Sequence, residues 1–167
     1  MSVLDTTIQT LLSASFSRNS DLSTVLETIV QPYTVKLPDG TGTNQANGIW
    51  SDRRTLTTVT SDSLDLFGVL TDSFGVVLNF TKIRAVLIIN TETAAGRTLT
   101  IGNAGINPCA LWFSAAVQSE LLHRGGVSLH VSPADGWAVA NGASDILKID
   151  NPTAFSITYD VYIVGTR

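Results

Sequence analysis

The sequence predicts an all-β protein, a single-domain β-sandwich of jelly-roll type with an extended N-terminal arm, and three observations carry that expectation. Over residues 154–164, Phe155, Ile157, Tyr159, Val161 and Ile163 fall on one side of the chain while Ser156, Thr158 and Asp160 fall on the other. That period of two describes a strand with one face in a core. Turn signals then punctuate the chain, at Asp72 to Gly75, Pro133-Ala134-Asp135-Gly136, Asn141-Gly142 and Asn151-Pro152, at the roughly ten-residue spacing of an all-β sandwich. Finally, only 14% of residues are charged while 44% are hydrophobic, so the polar surface is built mainly from Ser, Thr, Asn and Gly, well below the usual ~25% charge. With 167 residues the chain suits one domain that hides roughly 70% of its unfolded surface.

Taken in order, residues 1–35 read as an arm or as first strands, and residues 36–167 as the sandwich. Leu12, Ala14 and Phe16 follow strand spacing, whereas Leu22, Val25, Leu26, Ile29 and Val30 follow helical spacing. Thr24 with Glu27 could form a capping box, but the β-branched Val25, Ile29 and Val30 weaken a helix, so residues 22–30 stay open between helix and strand. Pro38-Asp39-Gly40 opens a glycine-rich loop that runs to Gly48. No Gly-Lys-Ser/Thr ending follows and a strand comes next, which sets a phosphate-binding loop aside. Short strands are expected at 54–60, 63–66 and 76–80. Residues 83–90 are apolar on both faces and should lie centrally in a sheet covered twice. Another strand follows at 98–102, then an irregular section around Trp112 and Phe113. Val127, Leu129 and Val131 should face the core with Ser128 and His130 outward, and residues 133–136 should turn the chain into a returning strand at Trp137 and Val139, making a hairpin. Strands at 145–150 and 154–164 close the fold.

Composition also limits partners. A formal charge of -4, a pI near 4.9 and scattered basic residues, of which Arg53-Arg54 is the only adjacent pair, leave no electrostatic footprint for nucleic acid. Cys109 is the sole cysteine, which rules out an internal disulfide and suits a reducing cytoplasm; its plain reading is a buried thiol. Residues 1–16 lack a basic start and an unbroken apolar core, so a signal peptide is not expected, and the longest apolar runs are strand-sized rather than membrane-spanning.

Candidate chemistry is sparse. His123 and His130 are the two histidines, one before a turn and one on a polar strand face, and these plain placements explain both better than joint metal or acid–base use. Asp62, Asp65 and Asp72 could lend oxygens to calcium but have no EF-hand spacing. A paired-carboxylate hydrolase would need two acids meeting in space across a cleft. Trp137 and Tyr159 lie on apolar faces and read as core. Tyr162 on the opposite face, with Trp50 and Trp112 in loops, could instead meet a sugar or a protein. The expected contact residues are therefore Trp50, Arg53, Arg54, Trp112 and Tyr162, with no catalytic residue, cofactor or metal.

The run Asp39-Gly40-Thr41-Gly42-Thr43-Asn44-Gln45-Ala46-Asn47, followed by Ser51-Asp52-Arg53-Arg54-Thr55-Leu56, Leu64-Asp65-Leu66, Leu70-Thr71-Asp72-Ser73-Phe74-Gly75 and Phe80-Thr81-Lys82-Ile83, resembles small virion proteins of tailed bacteriophages. Pro133-Ala134-Asp135-Gly136-Trp137, Asp145-Ile146-Leu147-Lys148-Ile149 and Tyr159 to Thr166 are similar to that family's closing strands. The likeness spans roughly residues 35–167 and is a pattern of loops and strands, not a catalytic signature. Around residues 104–115, where the family usually has small residues, this chain carries Pro108, Cys109 and Trp112. The resemblance implies a non-enzymatic jelly-roll component of the virion, made in the host cytoplasm and carried on the capsid surface as a decoration or cement protein. Its implied partners are the major capsid protein and other copies of itself, with a trimer favoured over a dimer, and no nucleic acid or membrane. The alternative is a tail or fibre module that binds host-surface glycan.

Overall fold

The computed structural model describes residues 3–19, 21–115 and 117–167; Met1, Ser2 and Ser20 of the expected arm, and Ala116, lie outside the described residues. The described residues form strands, turns and loops without a helix. The chain opens with β1 (Thr6–Asn19) and β2 (Thr24–Leu37), which pair antiparallel in unbroken register from Thr6 opposite Leu37 to Asn19 opposite Thr24. Of residues 22–30, Thr24 to Val30 thus resolve as strand, with Leu22 and Ser23 in the turn before it. Val25, Ile29 and Val30 would lose rotamer freedom against the preceding turn of a helix, whereas a strand partner accommodates their branched side chains.

Two larger sheets follow. One runs β10 (Val127–Val131), β7 (Lys82–Asn90), β13 (Ile157–Thr166) and β3 (Gly48–Leu56), with β11 (Trp137–Ala138) also on β7. The other runs β4 (Thr60–Asp65), β12 (Ile146–Asn151), β8 (Thr98–Gly102) and β9 (Ser119–His123). A small hairpin of β5 (Phe67–Thr71) and β6 (Val77–Asn79) lies between β4 and β7 in the chain. The antiparallel partners are nested: β3 with β13, β4 with β12, β7 with β10, β8 with β9. One sheet contributes Trp50, Val86, Ile88, Tyr159, Val161 and Ile163 to the core and the other Leu64, Leu99, Ile101, Leu122, Leu147 and Ile149, while Leu66, Leu70, Leu78 and Phe80 extend the same cluster. At ~1.5–3 kcal/mol per fully buried large aliphatic or aromatic side chain, this shared core is the main cohesive term of the sandwich.

Several sequence expectations are corrected. The strand expected at 54–60 begins at Gly48 and ends at Leu56, which places Trp50 in a strand. Residues 133–136 do not reverse the chain: β10 and β11 both run antiparallel to β7, at Ala85–Ile89 and Lys82–Ile83 respectively, so they are two pieces of one edge. Pro, Asp and Gly permit a tight turn in either setting, and only pairing distinguishes a hairpin from a loop that bulges out of an edge. Strand β10 is also inside out relative to expectation. Val127 is exposed and Ser128 is buried, because Val127, Leu129 and Val131 stand opposite Ile89, Leu87 and Ala85 and share their face. Alternation fixes which residues face together but not which side is the core. Strands β5 and β9 were not foreseen in the sequence.

Strand β7 lies between β10 and β13 as its two apolar faces required. A register shift between Val164 and Gly165 leaves Arg84 of β7 bulged and 2% exposed. Its Nη1 donates to the Ala134 carbonyl at 2.7 Å and its Nη2 to the Gly42 carbonyl at 2.8 Å. One buried guanidinium therefore pins both the 38–47 loop and the 132–136 bulge to the sheet. Gly165 sits against this irregularity, where a Cβ would run into the Lys82 carbonyl.

Candidate functional site

The outer face of the β10-β7-β13-β3 sheet is a grid whose rows follow from the registers. Val131, Ala85, Val164 and Ile49 form one row; Leu129, Leu87, Tyr162 and Ser51 the next; Val127, Ile89, Asp160 and Arg53 a third. The base of the β1-β2 hairpin lies over the first row: Leu37, Ala46, Ala85 and Val164 form a second buried cluster, with Leu4, Ile8, Val35 and Val131 packed against it. Beyond the hairpin base the face opens. Val127 is 59% exposed, and Leu87, Ile89 and Leu129 are half-buried. An apolar groove of about 440 Å³ runs between these residues and Thr7 to Thr10 of β1, and no acidic residue lines it.

The hairpin itself is apolar well beyond its base. Register places Ile8, Tyr33, Leu12, Ile29, Phe16 and Val25 on one face. Ile8 packs on the body, but Leu12, Phe16, Val25, Ile29 and Tyr33 are 50 to 71% exposed. The opposite face carries Leu11, Leu26 and Val30, exposed to similar degrees. Only Arg18, Asp21, Glu27 and Lys36 are charged between Thr6 and Leu37, and they cancel. A long, sparsely charged, net-neutral hairpin with both edges free among the described residues is the kind of surface that natural sheets normally cover or blunt.

Bordering the groove is a polar patch. Arg53 grips Asp160 through two hydrogen bonds, Nε to Oδ1 at 2.6 Å and Nη2 to Oδ2 at 2.8 Å. The hydrogen bonds and the charge of Arg53 hold the Asp160 carboxyl below the usual carboxylate range, and the same hydrogen bonds raise Arg53. Ser51, Asp52 and Tyr162 complete an open depression around this pair.

The expected contact residues are distributed unevenly. Tyr162 and Arg53 stand on the outer face, Tyr162 being 39% exposed. Arg54, adjacent in sequence, alternates to the inner side, where its Nη1 lies 2.9 Å from Asp62 and its guanidinium sits 5.8 Å from the Trp50 ring. Trp50 is 7% exposed in the core, so it has little surface for a partner, contrary to its expected place in a loop. Trp112 does lie between strands, but it is half-buried: its ring stacks on His130 at 3.9 Å and its Nε1 donates to Glu120 Oε2 at 3.1 Å.

Glu120 organises a cluster that no sequence motif indicated. Its Oε2 also accepts the Ser128 hydroxyl at 3.0 Å and lies 3.0 Å from His130 Nε2. Glu120 is on β9 and its partners Ser128 and His130 are on β10, so the contacts tie the two sheets together at their edge. His123, on the same β9, is instead within 3.4 Å of the Thr98 hydroxyl. Asp62 accepts the Tyr159 hydroxyl at 2.8 Å, Asp65 accepts the Phe67 amide at 2.9 Å, and Asp72 accepts the amides of Phe74 and Val76. Each of the three candidate calcium ligands is thus engaged in its own turn or contact, and among the described residues no group of three His, Cys, Asp or Glu is gathered. No helix among the described residues is long and apolar enough to cross a membrane.

Comparison with protein-family models finds no match for this chain, and comparison with curated proteins finds none either.

Proposed function

We propose that this chain is a structural component of a bacteriophage virion, a non-enzymatic decoration or cement protein made in the host cytoplasm, that binds the major capsid protein as an oligomer, a trimer in preference to a dimer. The observation that carries the reading is the uncovered apolar hairpin: nothing in a single copy lies beneath Leu12, Phe16, Val25, Ile29 and Tyr33 among the described residues, so the protein reaches its most favourable state against neighbours. The nested pairing β3-β13, β4-β12, β7-β10 and β8-β9 is the order of one long hairpin rolled into two sheets. This order supports a jelly-roll reading of the sandwich, an arrangement that recurs in viral capsid and lectin domains. Fold alone selects no function, and the sparse surface charge adds a second argument, because Ser and Thr hydroxyls are cheaper to desolvate against a neighbour than ionised side chains.

The test is to mix the purified protein with purified capsids and follow co-sedimentation and the temperature at which the capsids release their contents. Binding that raises that temperature, and that is lost when residues 1–35 are deleted from an otherwise folded protein, is the expected result; capsids that neither bind nor gain heat resistance would overturn the proposal. A second reading, a tail or fibre module for host-surface glycan, is favoured by the exposed Tyr162 ring beside the Arg53–Asp160 pair, since an aromatic face and a bidentate polar pair suit a sugar. Glycan-array binding abolished by Tyr162→Ala would replace the cement reading with this one.

A further inference from the structure

We infer that the distal half of the β1-β2 hairpin of one copy seats in the groove on the outer sheet face of a second copy, beside that copy's own hairpin base, making a head-to-tail contact. Within one chain this hairpin face already packs on the sheet. Ile8 and Val35 stand opposite each other on one face and pack on Ala85 and Val164, the first row of the sheet. The same hairpin face continues as Tyr33, Leu12, Ile29, Phe16 and Val25, and the sheet continues as Leu87, Leu129, Ile89 and Val127. The sheet continuation is apolar, the hairpin continuation is apolar apart from Gln31 and the oppositely charged Glu27 and Arg18 toward its tip, and both are uncovered. The hairpin lines the groove only from Thr7 to Thr10 and its residues beyond are exposed, so the two do not meet within one copy and are complementary surfaces left over on the same molecule.

Size and charge agree. At ~3.4 Å per residue the nine residues of β1 beyond Thr10 project by about 30 Å, roughly the width of a small domain, which is enough to cross a neighbour's sheet. Five large apolar side chains on that face, Leu12, Phe16, Val25, Ile29 and Tyr33, are 50 to 71% exposed. Together they offer on the order of 600 Å², most of the roughly 800 Å² per partner in a standard stable interface. The charges of the hairpin cancel and the groove lining is uncharged, so neither surface repels another copy of itself. The free edge of β1 along Thr7 to Thr10 borders the groove and can pair with an incoming strand's backbone. A contact that uses two different patches is heterologous and closes into a ring when the rotation allows, which is how a trimer arises.

The inference rests on reading the hairpin as an adhesive element, and mixing experiments separate its failure from failure of the capsid role. Two variants are made, one in the hairpin (Phe16→Asp with Ile29→Asp) and one in the groove (Leu129→Asp with Val127→Asp). All four positions are exposed or half-buried, and circular dichroism checks that each variant folds. Sedimentation should show the unmodified protein as an oligomer and each variant, alone, with self-association at least ~100-fold weaker. Mixing the two variants should restore a one-to-one dimer, since one supplies an intact hairpin and the other an intact groove. An unmodified protein that is monomeric at tens of micromolar, a groove variant that assembles normally, or a mixture that stays monomeric would each overturn the inference. A groove variant that assembles normally and still binds capsids would do so while leaving the capsid role standing.

Discussion

Replacing Glu120 by alanine should destabilise the sandwich by about 3 kcal/mol. Its Oε2 receives the Ser128 hydroxyl at 3.0 Å and the Trp112 indole N–H at 3.1 Å and lies 3.0 Å from His130 Nε2. Hydrogen bonds to a charged group contribute roughly 1.5–3 kcal/mol each, and a buried donor left without an acceptor costs about 1–3 kcal/mol. Ser128 is 3% exposed and has no water to turn to, so it bears most of the loss. Trp112 and His130 are half-buried, recover part of theirs from solvent, and keep their mutual stacking. For a chain of this size, ~2–4 °C per kcal/mol gives a melting temperature lower by about 6–12 °C. Urea unfolding followed by tryptophan fluorescence should show an earlier midpoint with an unchanged slope, because the surface exposed on unfolding is the same. Ser128→Ala in the Glu120→Ala background should recover about 1 kcal/mol by removing the stranded hydroxyl. A Glu120→Ala protein within ~0.5 kcal/mol of the original would refute the cluster as a tie between the sheets, since that is the range of an uninvolved surface change.

Two further outcomes follow from named groups. The Thr158 backbone amide donates to Glu92 Oε1 at 2.9 Å and the Arg97 guanidinium contacts Oε2, and these hold the Glu92 carboxyl below its ordinary value. A carboxyl depressed in the folded state adds stability that is complete above its unfolded pKa of roughly 4.3 and is lost as pH falls through the folded value. The difference in melting temperature between the original protein and Glu92→Gln should therefore be largest above about pH 5 and shrink below it; a gap that widens on acidification would contradict this. Burial pushes the Cys109 thiol up to about 11. At pH 8 its alkylation by iodoacetamide should be roughly two orders of magnitude slower in the folded protein than in urea, because only the thiolate reacts, and equal rates would show that the site is open.

How much of the fold is legible in the sequence depends on the range of the interaction involved. The all-β class, the central place of residues 83–90 and the core side of Tyr159, Val161 and Ile163 were legible, because alternation, β-branching and turn residues act between near neighbours in the chain. The hairpin was half legible. Leu12, Ala14 and Phe16 marked a strand, but residues 22–30 carried both periods until β1 supplied a partner.

What the sequence determined by itself was which side chains stand together along each strand; which of those faces met a core was settled only when strands from distant parts of the chain came side by side. Val127, Leu129 and Val131 look like core residues in isolation, yet their pairing with Ala85, Leu87 and Ile89 carries them to the outer face. That same pairing turns Ser128 and His130 inward, where Glu120 of the facing sheet accepts them. Trp50 and Arg54 were drawn inside by the same logic, and the groove exists only because the hairpin base stops partway across the sheet. A period of two leaves inside and outside equivalent, and only long-range strand pairing removes that equivalence.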